Sequence, residues 1–270
     1  MAETFDVLEQ SSKREPEQDR LDTAHLRQPP TFIIIGTQKG GTTSLYRYLD
    51  KHDDVTMSIR KEVHFFDYFY FKGSNWYLAH FPLRGEAGQT GEASPSYLFH
   101  PEAPKRIHAA FPDVKIIALL RNPVDRAYSH YQMEYRRGTD PLSFEEAIAQ
   151  EPARLRDNDP DSAGGNLRRY SYVSRGKYVE QLPRWLELFP REQFLFIKSE
   201  EFFRERGRIF DKVLRFLELP SCPLPQNRSH NSHGYAPMRP ETRARLARFY
   251  EPYNRQLYDL LGRDFGWNED

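Results

Sequence analysis

The chain has 270 residues, with 39 Lys and Arg balancing 39 Asp and Glu, so its formal net charge is zero and its mean hydropathy is −0.80. That balance excludes the strongly basic surface on which bulk affinity for nucleic acid rests, and no stretch approaches the ~18 apolar residues of a membrane span. One cysteine, Cys222 in PSCPLP, excludes an intrachain disulfide and reads as a loop thiol without assigned chemistry.

Residues 1–28 are polar and charged, with SSKREPEQDR over 11–20, and carry neither helical nor strand period, so they read as a flexible or loosely docked extension. They also lack the apolar core of a secretory signal, which makes a cytoplasmic location the expectation. A single domain is expected over 29–270, a length at which α/β chains commonly form one unit with a sizeable core.

The first segment of that domain, TFIIIGTQKGGTTSLY over 31–46, reads as a buried strand, a glycine loop and the start of a helix predicted over 43–51. Gly36, Gly40 and Gly41 permit a tight turn and close backbone approach, so N–H groups at the helix start can face a phosphate. Gly40, Gly41, Thr42, Thr43 and Ser44 supply N–H and hydroxyl donors, although Thr43 and Ser44 also suit simple helix capping. Against the nucleotide loop G-x-x-x-x-G-K-[ST], Gly36, Gly41 and Thr43 match, but Thr42 stands at the lysine position and the cation has moved upstream to Lys39.

A short strand is predicted over 55–58, a helix over 101–111 and a second buried strand over 114–120. This strand ends in Arg121, where a kinase or NTPase places a magnesium-holding carboxylate. Asn122 reads as an N-cap, Pro123 suits the first helical turn, and Ser129 lies in the helix predicted over 124–137. Arg121 and Ser129 can clamp one phosphate. Two separate phosphate sites without a metal carboxylate suit 3′-phosphoadenosine 5′-phosphosulfate (PAPS), which carries phosphates at both ends of its ribose, and no metal is required.

Further helices are predicted over 144–150, 177–189, 209–217 and 241–261, and a strand over 194–197. Residues 151–169, rich in Asp, Asn, Gly and Arg, read as a mobile loop. Strands alternating with helices imply an α/β fold, a central parallel sheet flanked by helices. The basic residues cluster at Arg121/Arg126, Arg136/Arg137, Arg168/Arg169 and Arg175/Lys177, a distribution compatible with an anionic ligand and with ordinary solvated faces.

The two phosphate motifs, with KEVHFFD over 61–67 and GSNWYLAHFP over 73–82, resemble the PAPS-dependent sulfotransferases, especially the heparan sulfate glucosaminyl branch and its bacterial relatives. The resemblance runs over about 30–267. It implies sulfuryl transfer from PAPS to an acceptor hydroxyl, leaving 3′-phosphoadenosine 5′-phosphate (PAP). By matching, Glu62 becomes the general base, His64 and Asp67 acceptor-site residues, Lys39 a contact to the 5′-phosphosulfate, and Arg175 in SRGKY a donor contact near the 3′-phosphate or adenine. An extended backbone would put Glu62 and His64 on one face, since the strand period is two.

Two positions depart from the heparan pattern. Ala93 in EASPSY replaces a lysine, and the basic C-terminal loop reads His233-Gly234-Tyr235, with His233 left as a donor-covering candidate and Arg239 the nearest arginine after it. These departures shift the expected acceptor from a long sulfated polymer toward a neutral sugar, glycolipid or hydroxylated small molecule. The competing readings are a P-loop phosphotransferase, disfavoured by Thr42 and Arg121, and a non-catalytic nucleotide- or glycan-binding module.

Overall fold

The computed structural model describes residues 15–86, 88–156, 159–225 and 234–268. Its centre is a five-stranded sheet in the order β2-β3-β1-β4-β5, with every neighbouring pair parallel. The strands are β1 (Phe32–Gly36), β2 (Val55–Met57), β3 (Gln89–Ala93), β4 (Lys115–Leu120) and β5 (Phe194–Lys198).

The β-branched runs of β1 and β4 are central because both of their faces are covered. Ile33, Ile35, Ile116 and Leu120 pack with Tyr97, Trp185 and Phe189 on one side, while Phe32, Ile34, Ile117 and Leu119 pack with Leu45, Leu49 and Phe210 on the other. From β1 the chain fills one side of the sheet through β2 and β3, then returns to the other side of β1 for β4. The order therefore reverses between β1 and β4, and ligands of such sheets bind outside the carboxyl ends of the strands at that reversal.

The helices are α1 (Gln18–Asp22), α2 (Thr42–Leu49), α3 (Gly73–Leu78), α4 (Ala103–Ala110), α5 (Pro123–Arg136), α6 (Phe144–Arg154), α7 (Asn166–Tyr170), α8 (Tyr178–Gln181), α9 (Pro183–Leu186), α10 (Ser199–Arg204), α11 (Arg206–Phe216) and α12 (Pro240–Leu261). Among the described residues none is long and apolar enough to cross a membrane.

Four differences from the sequence reading have local causes. The helix expected over 177–189 is broken into α8 and α9 at Pro183, whose missing N–H cannot continue the ladder. Strand β3, QTGEA, has no apolar run to announce it, because Gly91 lies under the Phe32 ring, where a Cβ would come within 2.2 Å of Phe32 Cζ. The segment 151–169 is only partly a loop, since α6 runs through Pro152 to Arg154 and α7 forms within it.

The fourth difference concerns the N-terminal extension, of which residues 15–28 are packed onto the domain. Arg20 donates to the carbonyls of Ala79 and Phe81 at 2.7 and 2.6 Å, and buried Arg27 donates to Phe81 O at 2.8 Å. Glu15 takes hydrogen bonds from Arg60, Lys72 and Trp76 Nε1. Charge hid this segment from a hydrophobic-period reading, because its contacts are guanidinium-to-carbonyl and ionic.

Candidate active site

The loop after β1 is built from backbone. Gly40 N–H donates to Thr37 O at 2.9 Å, and a Cβ on Gly40 would sit 2.8 Å from Leu119 O, so only glycine lets the loop lie against the end of β4. Gly41 adopts φ +100°, a left-handed conformation that glycine reaches without cost, and opens α2 with no side-chain cap. The N–H groups of Thr42 and Thr43 open α2 beside Lys39, ahead of the first intrahelical bonds, while Ser44 N–H donates to Gly41 O at 3.0 Å.

The loop is clamped from β4 and β5. Arg121 Nη1 donates to Lys39 O at 3.0 Å, Ser199 Oγ to Gly40 O at 2.8 Å, and Tyr178 OH to Arg121 O at 2.8 Å. Asn122 caps α5 as expected, its Oδ1 accepting Val124 N–H at 3.0 Å with Pro123 in the first turn. Lys39 is pushed down to about 8, first by burial and then by the charges of Arg136, Arg121 and Arg137, with Glu62 opposing the shift. A lysine among three guanidinium groups is a surplus of positive charge, which a polyanion would neutralise.

Facing this loop is a turn rather than a strand. Glu62 and His64 have φ of +62° and +56°, so the extended backbone expected for KEVHFFD does not form. Left-handed backbone costs roughly 1–2 kcal/mol per non-glycine residue, and such residues persist where their surroundings over-determine them. The two side chains still meet. His64 Nε2 lies 3.3 Å from Glu62 Oε2, His64 Nδ1 lies 2.8 Å from Asp67 Oδ2, and Lys61 Nζ donates to Glu62 Oε1 at 2.7 Å.

Burial would depress the His64 imidazole, but the Asp67 carboxylate and then Glu62 hold it above its ordinary value. Burial would likewise raise the Glu62 carboxyl, yet the Lys61 ammonium and the His64 ring outweigh it and keep Glu62 well below the usual carboxylate range. Glu62 is therefore an anion at neutral pH. Its side chain remains 33 % exposed, and each carboxylate oxygen has two acceptor directions, so room is left for an incoming hydroxyl.

Other candidates fall less centrally. Ser129 is buried on α5. Arg175 is only 2 % exposed, with Nε–H donating to Ser171 Oγ at 2.7 Å and its guanidinium 4.7 Å from the centroid of Phe99. These contacts hold its side chain inside the domain. His233 lies outside the described residues. The sequence reading missed the hydroxyls of Ser94 and Tyr97, which accept the N–H groups of His64 and Phe65 at 3.0 and 2.9 Å. Their signal was present in EASPSY, where only Ala93 drew notice.

Known proteins resemble this chain in sequence and in fold. The model of the sulfotransferase domain matches residues 29–235. Human heparan sulfate glucosamine 3-O-sulfotransferase 6 is 35 % identical over 265 residues, covering 89 % of this chain and 74 % of that protein. The membrane-associated sulfotransferase kil1 of Dictyostelium discoideum is 26 % identical over 312 residues, covering 88 % of this chain and 66 % of its own length. Among solved structures, a sulfotransferase from Alicyclobacillus acidocaldarius superposes with a TM-score of 0.76 at 33 % identity, covering 90 % of this chain and 100 % of that one.

Proposed function

Because the chain belongs to the sulfotransferase domain family, a PAPS-dependent enzyme class, we propose that it transfers the sulfuryl group to a sugar hydroxyl, with Glu62 taking the hydroxyl proton. One observation supports the residue assignment: Ser94 joins the turn to the strand that leads into the glycine loop, its N–H donating to Ile34 O at 3.1 Å and its Oγ accepting His64 N–H at 3.0 Å.

The residues fit the donor. Gly40 lets the loop lie against the end of β4, the start of α2 offers N–H groups, and Lys39 and Arg121 bring the charge that phosphates require. The bound donor supplies the S–O bond that breaks at the 5′-phosphate as the acceptor oxygen bonds to sulfur, leaving PAP and a sulfate ester. Lys39, with a value of about 8, is mostly protonated at neutral pH and stands ready to follow charge onto the leaving phosphate. Arg121 and Ser129 are assigned to the second phosphate, and Thr42, Thr43 and Ser44 to the first.

On the acceptor side, Glu62 receives the proton while Asp67 holds His64 and His64 holds Glu62 Oε2. The imidazole, flanked by two carboxylates, orients the base rather than replacing it. The heparan sulfate names of the curated relatives support a carbohydrate acceptor, and buried Ala93, standing where the resembled branch has lysine, favours one less charged than a long sulfated polymer.

The test uses labelled PAPS with heparan-type oligosaccharides and neutral glycolipids as acceptors, comparing the wild-type chain with Glu62→Gln. General-base loss predicts a fall in kcat of roughly 10²–10⁴-fold. Affinity for PAP, measured by calorimetry, stays unchanged. A Glu62→Gln enzyme of near-normal rate overturns the base, and a wild-type chain that binds PAP without turning over any acceptor supports the binding-module alternative.

A further inference from the structure

We propose that Glu92 on β3 is a positioning residue that holds the turn bearing Glu62 and His64 in its left-handed shape, an inference that rests on Glu62 being the base. Glu92 is completely buried, and three hydroxyls converge on its carboxylate. Ser94 Oγ–H donates to Oε2 at 2.7 Å, while the Tyr77 and Tyr97 hydroxyls each donate to Oε1 at 3.0 Å. Two of these hydroxyls touch the turn with their other side. Ser94 Oγ accepts His64 N–H and Tyr97 OH accepts Phe65 N–H, with Phe66 N–H further off at 3.4 Å.

A hydroxyl carries one proton, and an ionised carboxylate only accepts. Glu92 therefore compels Ser94 and Tyr97 to point their protons inward, which turns their lone pairs toward the N–H groups of His64 and Phe65. These are the amides that a left-handed turn cannot pair with a strand. An amide or a protonated acid at position 92 brings a donor of its own, so the hydroxyl facing it must turn its proton out of the site, and the lone pair fixed toward a backbone N–H loses its alignment. One buried bond to the turn is then lost.

The titratable groups facing Glu92 are Tyr77 from α3, Tyr97 from the segment after β3, and Asp67 from the turn itself. Burial raises Glu92 to about 7, against the three hydroxyls that lower it, and Asp67 adds to the rise. Tyr77 and Tyr97 are held well above the ordinary tyrosine range, first by burial and then by the Glu92 charge, so they keep their protons. Falling pH through neutrality thus neutralises Glu92 before it neutralises Glu62, which lies well below the usual carboxylate range.

The variant is Glu92→Gln, read by amide hydrogen exchange at His64 and Phe65, by PAP affinity, and by the pH profile of kcat on a heparan-type oligosaccharide. Expected are exchange at one or both amides faster by roughly tenfold, the equivalent of one buried hydrogen bond, and a comparable fall in kcat. Calorimetric PAP affinity is unchanged, and the acid limb expected near pH 7 in the wild-type enzyme is absent from the variant. Unchanged exchange, or an acid limb that persists near pH 7 in Glu92→Gln, overturns the proposal. If Glu92→Gln does not fold, Tyr97→Phe decides it, because exchange must then quicken at Phe65 and not at His64. A wild-type chain inactive on every acceptor would fail the sulfotransferase reading, while the exchange data would still judge the role of Glu92.

Discussion

The glycine loop and the turn bearing Glu62 are made by opposite means. The loop is backbone shaped by small residues, with Gly40 against Leu119 O and Gly41 at φ +100°, and it accepts hydrogen bonds from Arg121 just past β4 and from Ser199 at the start of α10. The turn is a chain of side chains, Lys61–Glu62–His64–Asp67, on a backbone that two non-glycine residues hold in the left-handed region. Function divides the same way. The loop should govern how tightly the donor binds, and the turn how fast the proton leaves the acceptor.

The largest effect that sharpens this division belongs to Asp67→Asn. Asp67 is the first carboxylate that raises His64, so its removal lets burial depress the imidazole and frees the ring from its 2.8 Å anchor. Loss of the orienting carboxylate in a comparable carboxylate–imidazole arrangement costs up to ~10⁴-fold, and because the proposed base is Glu62 rather than His64, a fall of about 100-fold in kcat is expected. PAP affinity measured by calorimetry should not move. Weakened PAP binding with a normal kcat would break the division.

Arg121→Ala is the converse. A charge-assisted hydrogen bond is worth roughly 1.5–3 kcal/mol, so PAP affinity should fall about 10–100-fold by calorimetry. Part of the loss would come from the loop, since Arg121 also fastens Lys39 O. At saturating donor the rate should largely recover. A kcat that stays a hundredfold down would mean that Arg121 reaches the reacting atoms.

The difference between the regions also explains what could be read from the chain. Gly36, Gly40, Gly41, Lys39 and Arg121 announce a phosphate loop because the necessary residues are adjacent and their reasons are local. Strands β1 and β4 are legible from their β-branched runs for the same reason. The turn is legible only as a motif. Its residues sit two and three apart, but an extended backbone was the wrong cause for their meeting, and the partners that fix the true one, Ser94 and Tyr97, lie thirty residues downstream in an unremarkable run. Arg175 shows the same limit, since nothing in the SRGKY run announces that its guanidinium meets Ser171 Oγ and the face of Phe99.

The smallest predicted effect tests the loop's electrostatics by pH. Lys39 is lowered to about 8 in the free protein, so it is charged below that value and neutral above it. A bound polyanion favours the charged form, so donor binding should take up protons near pH 8 and weaken as pH rises through that value. If PAP binds only the protonated form, affinity falls by about tenfold at most between pH 7 and pH 9, the limit set by a single titration. Calorimetry of PAP binding in two buffers of different ionisation enthalpy measures the uptake directly. Lys39→Met should abolish it while Asp67→Asn leaves it intact, so proton uptake that survives Lys39→Met would assign the linkage to another group and erase the boundary between the two regions.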